Sequence, residues 1–326
     1  MHDSAECAET YPVIDGIPRL LVGPARGELL RGHREWFDTS PETTRLAVSW
    51  ATKEAADPVI SAFDDEWRRY RDVGTAEHSA LFARYFDLVP ASSFSAEQTV
   101  LDAGAGAGRW AFEVARRGPR VVAVDLGRSI EVARENTPVD RVACVQADLE
   151  ALPIAHGAVD WAYSLGVLHH AKAPEVALRN VVDAVRPGGT VLVYLYYALD
   201  HRGPIYRWLF RAVDIARRFL SRQPRAATRL VAMAIAVVVY WPLARAAALL
   251  ESAGAGQLAD KIPLGFYRHL SFRTMRNDSL DRFGTRLERR YTRAEMITLM
   301  RGAGLSNVRI SETAPFWHGI GSKSLR

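Results

Sequence analysis

The sequence predicts a doubly wound α/β fold, in which a parallel sheet carries helices on both faces. Three apolar segments, at residues 100–101, 121–124 and 142–147, end in or lead directly to Asp102, Asp125 and Asp148. Ligands of open α/β sheets bind outside the carboxyl ends of the strands. The three carboxylates therefore predict one binding site along that edge of the sheet.

The turn after the first of these strands is rich in glycine. Gly104, Gly106 and Gly108 alternate with alanines, and glycine permits positive φ and a close approach of backbone to a ligand. The dinucleotide fingerprint has the longer spacing G-x-G-x-x-G. The shorter spacing here favours a nucleotide-like cofactor without a pyrophosphate. A dehydrogenase, the main rival, requires the longer spacing and gives no role to Asp148.

Further motifs follow in order along the chain. They are A-D-x-x-x-L-P at residues 147–153, S-L-G-V-L-H-H at 164–170 and R-P-G-G-T at 186–190. With the glycine loop and the acid that ends the second strand, they resemble the ordered motifs of a class I S-adenosylmethionine-dependent methyltransferase, strongly over residues 98–196. A doubly wound domain of another family would not explain why three strands each end at or just before an aspartate. The resemblance implies a seven-stranded Rossmann-like sheet and S-adenosyl-L-methionine (SAM) as cofactor.

The resemblance also implies roles for individual residues. Gly104 and Gly106 underlie the methionine part of the cofactor, and Asp102 helps to hold its amino group. Asp125 accepts from the ribose hydroxyls and Asp148 from the adenine amine, although each carboxylate could instead cap a helix. The remaining implied contacts are Leu126 on the adenine face, the Leu149 backbone at the ring edge, and Ser164 with Leu165 beside the sulfonium.

Two histidines are the candidate catalytic residues. His169 and His170 follow the fourth strand at the binding edge, and a histidine can accept a proton near neutral pH. A base is needed only for a protonated acceptor, since methyl transfer otherwise depends on alignment. Either histidine could instead order its loop through the backbone. Tyr196, Tyr197 and His201 are the next candidates.

The N-terminal arm, residues 1–25, has a fainter resemblance to a zinc-ribbon module related to Trm112-like proteins. Ser4 and Cys7 stand where that module has a cysteine pair, and the upstream pair is absent. A structural zinc site needs four ligands, so we expect no metal. A β-hairpin arm on the domain surface, with Asp15 and Gly16 at its turn, is the preferred interpretation. The chain has two cysteines, which suits a reducing, cytoplasmic location.

Residues 26–98 are predicted to form a helical cap on the SAM-binding core, residues 99–196. Aromatic residues recur at helical spacing in the cap, which usually indicates core packing. A contact of Trp67 or Tyr70 with the sulfonium by cation–π attraction is the alternative. The aromatic positions are Phe63, Trp67, Tyr70, Phe82, Tyr85 and Phe86.

Residues 197–290 form a predicted helical insertion that would hold the acceptor. Its segment 201–230 carries eight arginines (202, 207, 211, 217, 218, 222, 225 and 229) against Asp214, a net charge of +7 beside +5 for the whole chain. Residues 230–243 are almost wholly apolar but fewer than the roughly twenty that span a bilayer. We expect a lid helix with a solvated arginine face; the alternative is a helix in a membrane interface.

Residues 291–326 are predicted to complete the sheet. Thr292 and Glu295 have the spacing of a capping box at the start of a helix. Two strands, at residues 307–311 and 316–323, would follow, the last antiparallel.

Three functions agree with these observations. The leading one is methylation, at oxygen, nitrogen or carbon, of a small and partly hydrophobic metabolite or natural-product acceptor, since a long aromatic lid suits such a pocket. The second is rRNA or tRNA methylation, which the basic charge favours, although no RNA-binding module is recognisable. The third is a non-enzymatic SAM-binding or membrane-surface protein.

Overall fold

The computed structural model describes residues 9–50, 71–198, 203, 213–284, 289–313 and 317–325. The strands in that part of the chain are β1 (Val13–Ile14), β2 (Ile17–Leu20), β3 (Thr99–Ala103), β4 (Arg120–Asp125), β5 (Val142–Ala147), β6 (Trp161–Leu165), β7 (Thr190–Tyr194), β8 (Leu305–Ile310) and β9 (His318–Lys323). The helices are α1 (Ala25–Gly32), α2 (Arg34–Phe37), α3 (Pro41–Trp50), α4 (Ala76–Tyr85), α5 (Arg109–Ala115), α6 (Ser129–Asn136), α7 (Pro174–Ala184), α8 (213–220), α9 (Arg225–Ile235), α10 (Trp241–Ser252), α11 (Gly256–Ala259), α12 (Phe272–Gly284) and α13 (Arg293–Gly302).

All described strands belong to one sheet of order β1-β2-β5-β4-β3-β6-β7-β9-β8. Strands β2 to β7 run parallel, and β9 lies antiparallel between β7 and β8. The predicted doubly wound class and the antiparallel last strand are confirmed. Strands β3 to β9 are the seven expected ones, and the N-terminal hairpin adds two more.

The two faces of the sheet have separate apolar cores. One contains Trp110, Tyr163 and Leu192 together with the aromatic residues of α4. The other packs α7 and α13 against Leu101 and Val193. The paired cores hold the parallel strands in register, so the carboxyl ends of β3, β4, β5 and β6 meet at one edge.

The N-terminal segment forms the predicted hairpin, but it joins the sheet instead of lying on the domain surface. Asp15 and Gly16 have φ of 53° and 73°, as a two-residue hairpin turn requires, and β2 pairs parallel to β5. Arg19 on β2 is fully buried. Its guanidinium contacts the Glu131 carboxylate at 3.2 Å and the Gln146 amide oxygen at 2.8 Å. The buried guanidinium of Arg19 therefore attaches the N-terminal arm to α6 and β5.

The insertion contains a longer helix than the sequence predicted. Helices α9 and α10 form one continuous helix over Ala226–Ser252, 27 residues. Judged only by its length and composition, this helix could cross a membrane. The apolar segment of residues 230–243 is therefore the middle part of a longer helix. A wide π turn at Ala236–Tyr240 precedes Pro242, which cannot donate to the helix ladder. This turn lets the helix continue.

The predicted arginine face is wrong at one position. Arg217 is 5% exposed and pairs with Asp214 at 2.9 Å, whereas Arg218 pairs with the same carboxylate at 2.9 Å and stays exposed. The arginines at 202, 207 and 211, and His201, lie outside the described residues.

Two local predictions, at the start of α13 and in the predicted cap, are confirmed. Thr292 and Glu295 form the predicted capping box at α13. In the cap, Phe82 and Phe86 are buried and stacked with ring centroids 4.1 Å apart, which confirms core packing. Phe63, Trp67 and Tyr70 lie outside the described residues.

We expect Glu131→Gln to lower the free energy of unfolding by about 3 kcal/mol, because it leaves the buried Arg19 charge without a charged partner. Burial lowers the Arg19 pKa, but a guanidinium stays charged at neutral pH. Burial alone would raise the pKa of Glu131, whereas hydrogen bonds from His33 and Arg128 lower it to about 2. The wild-type advantage should therefore be complete at neutral pH and shrink as pH falls toward 2.

Urea unfolding at several pH values measures this effect. Glu135→Gln is the matched control, since Glu135 lies one turn further along α6 in an exposed pair with Arg71. An exposed pair contributes at most about 1 kcal/mol. Equal losses in the two variants would contradict the role given to Arg19.

Candidate functional site

A cavity opens at the carboxyl ends of β3 to β6, where the three acids were predicted to converge. Its wall combines the glycine loop, the turns after β4, β5 and β6, and the start of α1. The residues that line it are Val22, Pro24, Ala25, Gly104, Ala105, Gly106, Ala107, Arg109, Trp110, Asp125, Leu126, Gly127, Asp148, Leu149, Glu150, Leu165, Gly166, Val167, His170, Ala171 and Lys172.

The glycine loop is built for internal contacts as well as for a ligand. Gly104 has φ 95°, and a Cβ there would lie 2.3 Å from the Val167 side chain. A Cβ at Gly108 would lie 3.0 Å from the Ala133 backbone. All three glycines have the predicted positive φ, and Gly104 and Gly106 line the cavity. Gly106 also donates its N–H to Asp125 at 2.8 Å.

Asp125 ties three parts of the site together. Its Oδ2 accepts from Gly106, while its Oδ1 accepts from the Gly127 N–H at 2.9 Å and the Ser129 hydroxyl at 2.8 Å. Burial raises the pKa of this carboxyl, and these donors oppose the rise. Carboxylate oxygens can accept more than one hydrogen bond each. Asp125 therefore keeps acceptor capacity on the cavity wall, as a ribose diol requires.

Asp148 caps a short turn and also lies on the cavity wall. Its Oδ1 accepts from the Glu150 N–H at 2.8 Å and so caps a 3₁₀ turn at Leu149–Ala151, and it also lines the cavity. Glu150 in turn accepts from the N–H groups of Lys172 and Ala173, at 2.8 and 3.0 Å. The turn after β5 thus fixes the loop that carries the histidines.

Asp102 and Ser164 lie behind the described cavity wall. The Ser164 hydroxyl donates to the Ala103 carbonyl at 2.8 Å. Asp102 is 1% exposed, and its Oδ2 has no partner among the described residues. Burial raises the Asp102 pKa to about 8, against the lowering effect of the Tyr163 hydroxyl. A buried acceptor of this kind beside the cavity fits a cofactor that brings a cationic amine.

The two histidines occupy different positions. His170 lines the cavity. His169 is fully buried behind it, with its ring stacked on Tyr196 at 3.9 Å between centroids. Burial lowers the pKa of His169 well below its ordinary value, and the nearby charges of His170 and Arg290 lower it further. The His169 imidazole is therefore neutral at physiological pH. The Tyr196 hydroxyl donates to Asp281.

Several wall residues were not predicted from the sequence. Val22, Pro24 and Ala25 come from the N-terminal arm, and no local signal indicated that the arm reaches the site. Arg109 and Trp110 also line the cavity. Their position directly after the glycine loop could have indicated them, because the first turn of that helix faces the ligand edge.

No metal cluster is found in the part of the chain that the structure describes. Cys7 lies outside it, and Cys144 is buried. The absence of zinc therefore stays a prediction, as does the Trm112-like origin of the arm.

Comparison with known proteins places this geometry in a family. A methyltransferase-domain model matches residues 101–193. The chain is 31% identical over 175 residues to a malonyl-[acyl-carrier protein] O-methyltransferase of Enterobacter lignolyticus, a match covering 52% of this chain and 65% of the relative. It is 30% identical over 189 residues to the ubiquinone/menaquinone biosynthesis C-methyltransferase UbiE of Klebsiella pneumoniae, covering 54% and 72%.

Among solved structures, a magnesium protoporphyrin IX methyltransferase from Synechocystis with bound SAH aligns with a TM-score of 0.46 and 13% identity, over 82% of this chain and 98% of the other. The chain spans about two thirds of the length of the two curated relatives. Its motifs, its sheet and these relatives together show that the chain belongs to the class I S-adenosylmethionine-dependent methyltransferases.

Proposed function

We propose that the enzyme methylates a small, partly hydrophobic acceptor at oxygen, nitrogen or carbon. The observation that carries the proposal is a cluster of tyrosines and acids that come from α4, from β7 and its following turn, and from the insertion; it is called here the tyrosine cluster. Its members are Tyr85, Tyr194, Tyr196, Tyr240, Tyr267, Asp278 and Asp281.

The tyrosine cluster adjoins the cavity at two points. The Tyr85 ring lies 5.3 Å from Trp110, and the Tyr196 ring 5.8 Å from His170, and both of these partners line the cavity. The cluster also contains polar groups, since the Tyr267 hydroxyl donates to Asp278 at 2.9 Å and burial raises the pKa of Asp278 to about 6. Aromatic side chains with a few placed polar groups next to the cavity suit a partly apolar acceptor.

The cofactor supplies a methyl group that its sulfonium already activates. We assign the methionine part to Gly104 and Gly106, with Asp102 beside the amine, and the ribose to Asp125. The adenine would lie between Leu126 and Leu149, with Asp148 at its amine, and Leu165 would face the sulfonium in front of Ser164. The chain's own contribution is alignment and exclusion of water.

His170 is our candidate base for a protonated acceptor, because it lies on the cavity wall. His169 would act through it, as a positioning residue held against Tyr196. A neutral imidazole packed behind the wall can fix the position of His170 without receiving the proton.

The acceptor class is tested by comparing a deletion strain with its parent. Mass spectrometry of the small-molecule extract and of total RNA asks which pool loses a methyl group. We expect a hydrophobic metabolite to lose it and RNA to be unchanged. Loss of a methyl mark from rRNA or tRNA would overturn the proposal in favour of the second function. The burial of Arg217 removes one cation from the face that RNA would contact.

For the cofactor site, Asp125→Asn should weaken S-adenosylhomocysteine binding by about 1.5 to 3 kcal/mol, the range for a hydrogen bond to a charged group. Titration calorimetry measures the change. Ser129→Ala is the control, because it removes one donor to Asp125 but leaves the cavity wall intact. We expect it to cost about 1 kcal/mol of stability with little loss of binding. Unchanged affinity in Asp125→Asn would refute the ribose assignment.

For catalysis, His170→Ala should lower kcat roughly 100-fold, the scale of a general base, with little effect on cofactor affinity. His169→Phe keeps an aromatic ring against Tyr196 and should lower kcat by less than about tenfold, since it preserves packing volume. Steady-state kinetics with parallel calorimetry separate the two effects. Full activity in both variants would place the base elsewhere.

A further inference from the structure

The long helix of the insertion has its small residues inside and its large apolar residues outside. Ala232, Ala236, Ala244 and Ala247 are buried against the protein. The exposed residues of the same helix are, in contrast, larger. They form what we call the apolar ridge: Leu230, Val231, Val237, Val238, Val239, Trp241 and Leu249, which are 40–72% exposed. A surface helix of a soluble protein has the opposite arrangement.

The ridge is uninterrupted by polar groups. From Ala226 to Leu249, every exposed position in the helix is occupied by alanine, valine, leucine, tryptophan or proline. At about 1.5 Å per residue, this face is roughly 35 Å long. Contiguous exposed apolar surface of this kind marks an interaction site.

The preceding helix, α8, also has large apolar side chains exposed to solvent. Ile215 and Phe219, one turn apart, are 69% and 71% exposed. The Thr228 hydroxyl donates to the Leu220 carbonyl at 3.0 Å and so joins the end of α8 to α9. The exposed apolar side chains of α8 and α9 therefore lie near the turn that joins these two helices.

Positive charges outnumber negative ones beside the ridge, where Asp214 is paired with Arg217 and Arg218. Residues 215–250 contain no aspartate or glutamate but six arginines. Arg218 has 68% of its side chain exposed, and Arg222 is exposed. An apolar face flanked by arginines is the pattern of a helix that lies in the interface of an anionic membrane.

We propose that the apolar ridge docks the enzyme on the surface of an anionic lipid bilayer, with Arg218 and Arg222 at the phosphate level. The opposite face of the helix packs on the protein core through Tyr240 and Ala244, so the helix lies along the bilayer and does not cross it. A two-fold contact with a second copy would bring the same arginines into one interface, whereas anionic lipid neutralises them. The proposal does not depend on which acceptor is methylated.

Sedimentation of the full-length protein with vesicles tests docking. We expect strong binding to phosphatidylcholine vesicles that contain phosphatidylglycerol and weaker binding to phosphatidylcholine alone. The double variant Leu230→Glu, Val238→Glu should lower the partition coefficient roughly tenfold or more, because both side chains would enter the apolar boundary. The double variant Arg218→Gln, Arg222→Gln should lower binding roughly fivefold or more on the anionic vesicles only.

The matched control is Val48→Glu, Val139→Glu, at positions 73% and 68% exposed outside the insertion; its vesicle binding should equal that of wild type. Affinity for S-adenosylhomocysteine should be unchanged in every variant, which shows that the fold is intact. Absence of vesicle binding by the wild type would overturn the proposal, as would wild-type binding by the ridge variant. Resistance of the bound protein to alkaline carbonate would indicate a spanning helix, and a ridge-dependent dimer without vesicle binding would indicate a second copy.

Discussion

The geometry of the candidate cofactor site depends on one carboxylate. Asp125 ends β4 and accepts from the glycine loop after β3, from its own following turn, and from the first residue of α6. A buried carboxylate is stable only when donors compensate its lost hydration. The same donors that stabilise it therefore determine the path of the loop. The site is formed before any ligand arrives, because its anchor must be satisfied within the fold.

The core of the fold could be predicted because its signals are local. Apolar segments that end in acids indicated β3, β4 and β5, and the spacing of Thr292 and Glu295 indicated the start of α13. The N-terminal arm could be predicted as a hairpin, since Asp15 and Gly16 suit its turn. Its place in the sheet could not, because it depends on Arg19 meeting Glu131, 112 residues away. The pairing of β2 with β5 likewise has no local signature.

The candidate site shows the same division. The strand-end position of Asp125 and Asp148 follows from the pattern, so their presence on the cavity wall was predictable. The pattern does not show that Gly104 makes room for Val167, or that His169 lies behind His170. These facts depend on which side chains of neighbouring turns meet. Residue type and spacing name candidates for a role, whereas burial and partners distinguish them.

The insertion combines two surfaces with different requirements. Its inner face carries alanines, which let the helix approach the core closely, and Tyr240, which packs against Tyr267 with ring centroids 5.2 Å apart. Its outer face carries large apolar groups that folding alone leaves exposed. Exposed apolar surface has a free-energy cost in water that only another apolar phase removes. An acceptor that is itself partly hydrophobic partitions into a bilayer for the same reason. An enzyme that rests there would meet such an acceptor at a higher concentration than in solution, so the proposed docking surface suits the proposed acceptor class.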